Sequence, residues 1–173
     1  MFFTIILVCV TGILIHELCH IAVLSWYGYR IQALCIGLPM KPFIKIPMGK
    51  FINELYLTPY FWSGMTITVM EEKPVASKWF FINLAGPLGN CLVLLFIYLL
   101  KGNAEFISSL AFFTNGTSPG SQPGFWTIVI MMNIAFGFGE LIPYVARDGT
   151  EILNVLTGKH TREIKAAASL RAS

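Results

Sequence analysis

GILIHELCHIAVL, residues 12–24, places two histidines and a glutamate inside a run of aliphatic side chains. The apolar run extends both ways, as FFTIILVCVTGILIHELCHIAVLSW, residues 2–26, and contains no lysine, arginine or aspartate. At the helical rise of 1.5 Å per residue such a segment reaches about 37 Å, enough to cross a bilayer's hydrocarbon core. Ionisable side chains at that depth are costly, so each one is a functional candidate. His16 and His20 are four residues apart and share one helix face. Two imidazoles at that spacing can hold one zinc ion, and the intervening Glu17 can then act on the metal's water as a general base.

The rest of the chain agrees with a membrane setting. Of 173 residues, 55% are hydrophobic and 12% charged, about half the charged fraction of a soluble domain. Mean hydropathy is +0.69. A net charge of +3 with no basic cluster excludes a nucleic-acid partner. Cys9, Cys19, Cys35 and Cys91 form no CxxC pair and read as small buried hydrophobes. The expected fold class is an all-α integral membrane protein with a three-span helical core. Its spans run over about 2–26, 79–100 and 125–146, with Trp26, Trp79 and Trp126 at span ends as interfacial anchors. A small membrane-associated β-hairpin or sheet is expected over about 30–69, between spans one and two, where β-branched and aromatic residues are cut by Pro39, Pro42, Pro47 and Pro59. Residues 115–124 read as a polar loop, 1–158 as the core, and 159–173 as a polar cytoplasmic tail.

Basic residues orient the spans. Arg30, Lys41, Lys45, Lys50, Lys73 and Lys78 fall in the first connection and only Lys101 in the second, while the tail after residue 146 holds five. The expected multi-pass topology has the N-terminus outside and the C-terminus cytoplasmic, in a bacterial or archaeal cell membrane.

A catalytic zinc site needs a third protein ligand and an open position. Asp148, Glu140, Glu151 and His160 are the candidates. Spans one and three run in the same direction, which brings Asp148, the sole aspartate, to the depth of the two histidines and makes it the best of the four. Asn83, Gly86 and Asn90 share one helix face, and Asn133, Gly137 and Glu140 another. Both faces suit helix packing, with amides as hydrogen-bond groups and glycines for close approach. That reading is favoured for Gly86 and Gly137, whereas Asn90 and Glu140 are divided between packing and a cavity.

Three motifs in this order resemble the site-2 protease family of intramembrane zinc metalloproteases: HELCH in the first apolar block, AGPLGN at 85–90, and ELIPYVARDG at 140–149. GYRIQALCIGLP at 28–39, LTPYFWSG at 57–64 and KPVASKWFFINLAGPLGN at 73–90 extend the resemblance across about residues 10–155. It implies that His16, His20 and Asp148 bind one zinc ion and that Glu17 activates water. It further implies that Asn90 and Gly86 border the site, and that the 31–69 segment pairs with an unwound substrate as an added strand. Asn133 and Glu140 are counted with the lining. Two departures stand out: Glu140 where the family has asparagine, and Arg147 immediately before Asp148. The expected activity is hydrolysis of a peptide bond within or beside a transmembrane segment of a membrane-protein substrate. The lipid bilayer and a regulatory membrane protein are the other expected partners. The alternative is a zinc-binding membrane protein without turnover that acts as a binding or regulatory partner.

Overall fold

A computed structural model of the chain describes residues 2–37, 44–49, 52–58, 63–70, 73–114, 123–143 and 147–172. The order is α1 (Phe2–Trp26), β1 (Arg30–Ile36), β2 (Ile44–Pro47), β3 (Ile52–Leu57), β4 (Gly64–Val69), α2 (Ala76–Thr114), α3 (Phe125–Gly137), a 3-10 turn (Gly139–Leu141), α4 (Arg147–Leu156) and α5 (Lys159–Ala172). Residues 115–122, Pro39, Pro42, Pro59 and Val145–Ala146 lie outside the described residues, with the readings made for them.

The expected all-α class is corrected on two points. The strands β1 to β4 form a four-stranded mixed sheet in the order β2-β3-β1-β4, so the chain is not all-α. β1 runs parallel to β3, with Ala33 opposite Glu54, and antiparallel to β4, with Leu34 opposite Thr66. β2 runs antiparallel to β3. The sheet is integral to the fold because five of the seven β1 residues are buried: Ile31 and Leu34 pack with Ile21 and Leu24 of α1 and Ile82 of α2.

The second correction concerns the third expected span. Among the described residues, only Phe2–Trp26 and Ala76–Ala104 are long and apolar enough to cross a membrane. α3 has 13 residues, about 20 Å of helix against a core of about 30 Å. The chain tightens into the 3-10 turn and then extends at Ile142 (φ −74°, ψ 114°). The cause is local, because the residue before a proline is pushed out of the helical region and Pro143 follows Ile142. α2 also differs from the expected 79–100: it starts at Ala76 and passes a non-helical Gly102 (φ 78°, ψ 175°) before ending at Thr114.

Small residues set the helix packing. A Cβ on Gly89 would lie 2.4 Å from Cys19 Sγ, and one on Gly137 would lie 3.0 Å from Cys91 Sγ. The approach of α2 to α1 and α3 therefore depends on glycine. Farther along, Leu94 and Ile97 of α2 pack on Ile130 of α3. The opposite side of α2 exposes Leu88, Leu92, Leu95, Phe96 and Leu99.

The C-terminal segment Lys159–Ala172 is helical and docks through His160. His160 is 1% exposed. Its Nε2–H donates to the Pro74 carbonyl at 2.8 Å, and its ring stacks on Trp79 with centroids 5.8 Å apart. Lys73 and Glu163 form an ion pair at 3.0 Å over this contact.

Candidate metal centre

α1 is apolar almost all round, so its polar cluster is fixed by neighbours rather than by amphipathic patterning. His16, Glu17 and His20 are buried on it. α4 brings Asp148 to them across 128 residues: its Oδ2 lies 3.1 Å from His16 Nε2 and 3.0 Å from His20 Nε2. The two Nε2 atoms are themselves 3.1 Å apart. Three potential ligand atoms thus form a nearly equilateral triangle, and this group could hold a metal ion.

The donor chemistry favours a cation there. His20 Nδ1 lies 2.6 Å from the Ile82 carbonyl oxygen. A carbonyl only accepts, so Nδ1 carries the proton and, in the neutral ring, Nε2 presents a lone pair. That lone pair faces an anionic oxygen and a second imidazole nitrogen. The cluster needs positive charge at its centre: a proton serves one pair of atoms, whereas a metal ion serves all three. The edges of a tetrahedral zinc shell of nitrogen and oxygen ligands are about 3.3 Å, so the 3.0–3.1 Å triangle is close to a ligand set. The Ile82 contact has the character of an outer-shell hydrogen bond that orients a metal-binding histidine.

Glu17 does not join the triangle. Its Oε2 accepts a 2.7 Å hydrogen bond from Thr66 Oγ1 of β4. The cluster opens into a cavity of about 790 Å³, whose lining includes His16, Glu17, His20, Thr66, Glu140, Arg147 and Asp148. This places two buried imidazoles, the partly buried Asp148 and an adjacent carboxylate on one cavity.

The other expected residues are placed differently from one another. Gly86 abuts the ligands themselves: a Cβ there would lie 2.3 Å from His20 Nε2 and 2.4 Å from His16 Nε2. Its role therefore extends past helix packing. Glu140 lines the cavity from the 3-10 turn. Asn90 and Asn133 are buried but absent from the cavity lining. Asn133 Nδ2 donates to the Val129 carbonyl at 2.9 Å. Neither amide atom of Asn90 has a hydrogen-bond partner among the described residues. Glu151 is turned to Trp79, whose indole N–H donates to it at 2.9 Å, and His160 lies against Pro74. Neither joins the His16–His20–Asp148 group. Arg147 reaches Met65 Sδ of β4 at 3.7 Å.

Sequence reasoning missed Thr66, Gly64 and Trp79 as neighbours of the site. Only KPVASKWFF, leading into α2, gave a signal for the last. A lone threonine in a strand gives none.

No family model matches the chain, and no curated protein matches it.

Proposed function

We propose that the chain is an intramembrane zinc endopeptidase of the kind its motifs resemble, the site-2 proteases. The observation that carries this reading is the convergence of His16 Nε2, His20 Nε2 and Asp148 Oδ2 within 3.0–3.1 Å, beside Glu17, in the middle of an apolar helix. The membrane part is supported by burial. Only 33% of the most apolar window of α1 and 44% of that of α2 is buried inside the protein, whereas the core helix of a soluble protein would be mostly covered. Lipid is the natural cover for Phe2, Phe3, Leu92, Phe96 and Leu99.

His16, His20 and Asp148 would hold the zinc. When bound, zinc polarises a carbonyl and lowers the pKa of water towards ~7. Glu17 takes a proton from the attacking water on Oε1, the oxygen that Thr66 does not occupy, and delivers it to the leaving amine. β4 is the last strand of its sheet, and Gly64, Thr66 and Thr68 of it line the cavity. An unwound substrate segment laid along this open edge would satisfy its backbone as an added strand. Unwinding is required because a transmembrane helix keeps its peptide groups hydrogen-bonded and out of reach. The substrate class is a membrane protein cut within or beside a transmembrane segment. Arg30, Lys41, Lys45, Lys50 and Lys73, between α1 and α2, favour the cytoplasmic side for that connection and its sheet, with cleavage near it.

The test uses detergent-purified full chain loaded with zinc and a single-span model substrate. The wild type is expected to cleave it, and Glu17→Gln to leave it intact while retaining one zinc per chain. Cleavage that survives Glu17→Gln overturns the reading. A wild type that binds zinc and never cleaves leaves the non-catalytic alternative.

A further inference from the structure

We propose that Thr66 is the positioning residue for Glu17, so that the strand offered to the substrate also aims the general base. This assignment rests on the endopeptidase reading above.

Glu17 is 5% exposed, and a buried carboxylate needs a hydrogen-bond donor. Thr66 supplies it: Oγ1–H donates to Oε2 at 2.7 Å from a residue 49 positions away, on a different element. The bond selects one carboxylate oxygen. With Oε2 occupied, Oε1 remains for the proton of the attacking water. A hydroxyl donor on only one oxygen fixes the carboxylate plane yet leaves the other oxygen's lone pairs available.

A second contact from the same strand acts in the same place. A Cβ on Gly64 would lie 2.8 Å from both Oε1 and Cγ of Glu17 and 2.6 Å from Ile13 Cγ2. Gly64 and Thr66 are two residues apart and so share one face of β4. One leaves room for Glu17 and the other holds it. On its partner side β4 is fixed by the antiparallel ladder to β1, in which Thr66 pairs with Leu34, a buried core residue. The hydroxyl is therefore mounted on a strand that is anchored in the core on one edge and, among the described residues, has no strand paired on the other.

The mechanical consequence is a coupling. A peptide added to the open edge of β4 stiffens the strand whose side chain aims the base. A bound extended segment thus completes the geometry of Glu17, and turnover depends on how well β4 is ordered as well as on the metal.

The experiment compares wild type, Thr66→Val, Thr66→Ser and Glu17→Gln as zinc-loaded full chains in detergent, with fluorescein-labelled casein as an unfolded-protein probe. Zinc content is measured on each. Valine keeps the shape and the β-branching of threonine and removes the donor. Thr66→Val is expected to lower kcat about 10- to 100-fold, the scale of a slightly misplaced reacting group, with KM within a factor of about two and zinc at one per chain. Thr66→Ser, which restores the hydroxyl, is expected to recover most of kcat. If Thr66→Val matches the wild type, or if serine is as slow as valine, the assignment fails while the endopeptidase reading stands. If the wild type cleaves no better than Glu17→Gln, both fail together.

Discussion

Gly86 stands so close to His20 that a Cβ on residue 86 would lie 2.3 Å from His20 Nε2. The same Cβ would lie 2.4 Å from His16 Nε2. No side-chain carbon approaches a nitrogen this closely, so α2 can back the ligand pair only with glycine. Gly86→Ala is expected to drive the imidazoles apart and to cut bound zinc to below about one fifth of the wild-type content, since metal sites tolerate ligand errors of only about 0.2 Å. Elemental analysis of the purified chain reads this directly. Full zinc content in Gly86→Ala would show that the helices separate without disturbing the ligands.

Asp148 and Glu151 are three residues apart on α4, yet their carboxylates do different work. Asp148 Oδ2 faces the two imidazoles, whereas Glu151 Oε2 accepts the Trp79 indole N–H. Asp148→Asn removes the only anionic member of the triangle and is expected to weaken zinc at least about ten-fold in a chelator competition. Glu151→Gln keeps an acceptor for Trp79 and is expected to hold zinc as the wild type does. The reverse result would move the third ligand to residue 151.

The parts of this arrangement that could be read in the sequence are those with local spacing. His16 and His20 share a helix face because four residues is about one turn, and that needs no tertiary information. Asp148 could be paired with them only because it is the sole aspartate and follows an apolar segment of the same direction. The parallel β1–β3 pairing was not legible, since its register depends on residues separated by about one strand and a connection. The length of the third apolar segment was misjudged for a specific reason. Apart from Glu140 the composition stays apolar through Ile142, whereas α3 has already ended at Gly137. His160 was hidden because its surroundings in sequence are polar, and what buries it, Pro74 and Trp79, lies more than eighty residues earlier.

That buried histidine closes the α5 contact. His160 fills the space against Trp79, and Trp79 in turn holds Glu151 of the helix that carries Asp148. His160→Ala removes a stacked ring and leaves the Pro74 carbonyl without its donor. A loss of about 1–3 kcal/mol is expected for such a deletion. The readout is limited proteolysis at the turn around Thr157–Gly158, which should speed up as α5 undocks. Unchanged proteolysis would mean that the Lys73–Glu163 pair alone fastens the helix.

Gly64 separates the proposed base from the proposed metal site. The three atoms nearest its Cβ position belong to Ile13 and Glu17. Gly64→Ala must push either β4 away from α1 or Glu17 away from its place beside the triangle. In both cases Thr66 loses its grip on Oε2, while the three ligand atoms, held by α1, α2 and α4, stay together. The expected outcome is a zinc content equal to the wild type with turnover reduced at least about 100-fold, within the span attributed to general-base catalysis. Parallel zinc and cleavage measurements on one preparation check it. Loss of zinc together with activity would mean that β4 supports the metal as well as the base, and the division of labour between sheet and helices argued from Thr66 and Gly64 would have to be abandoned.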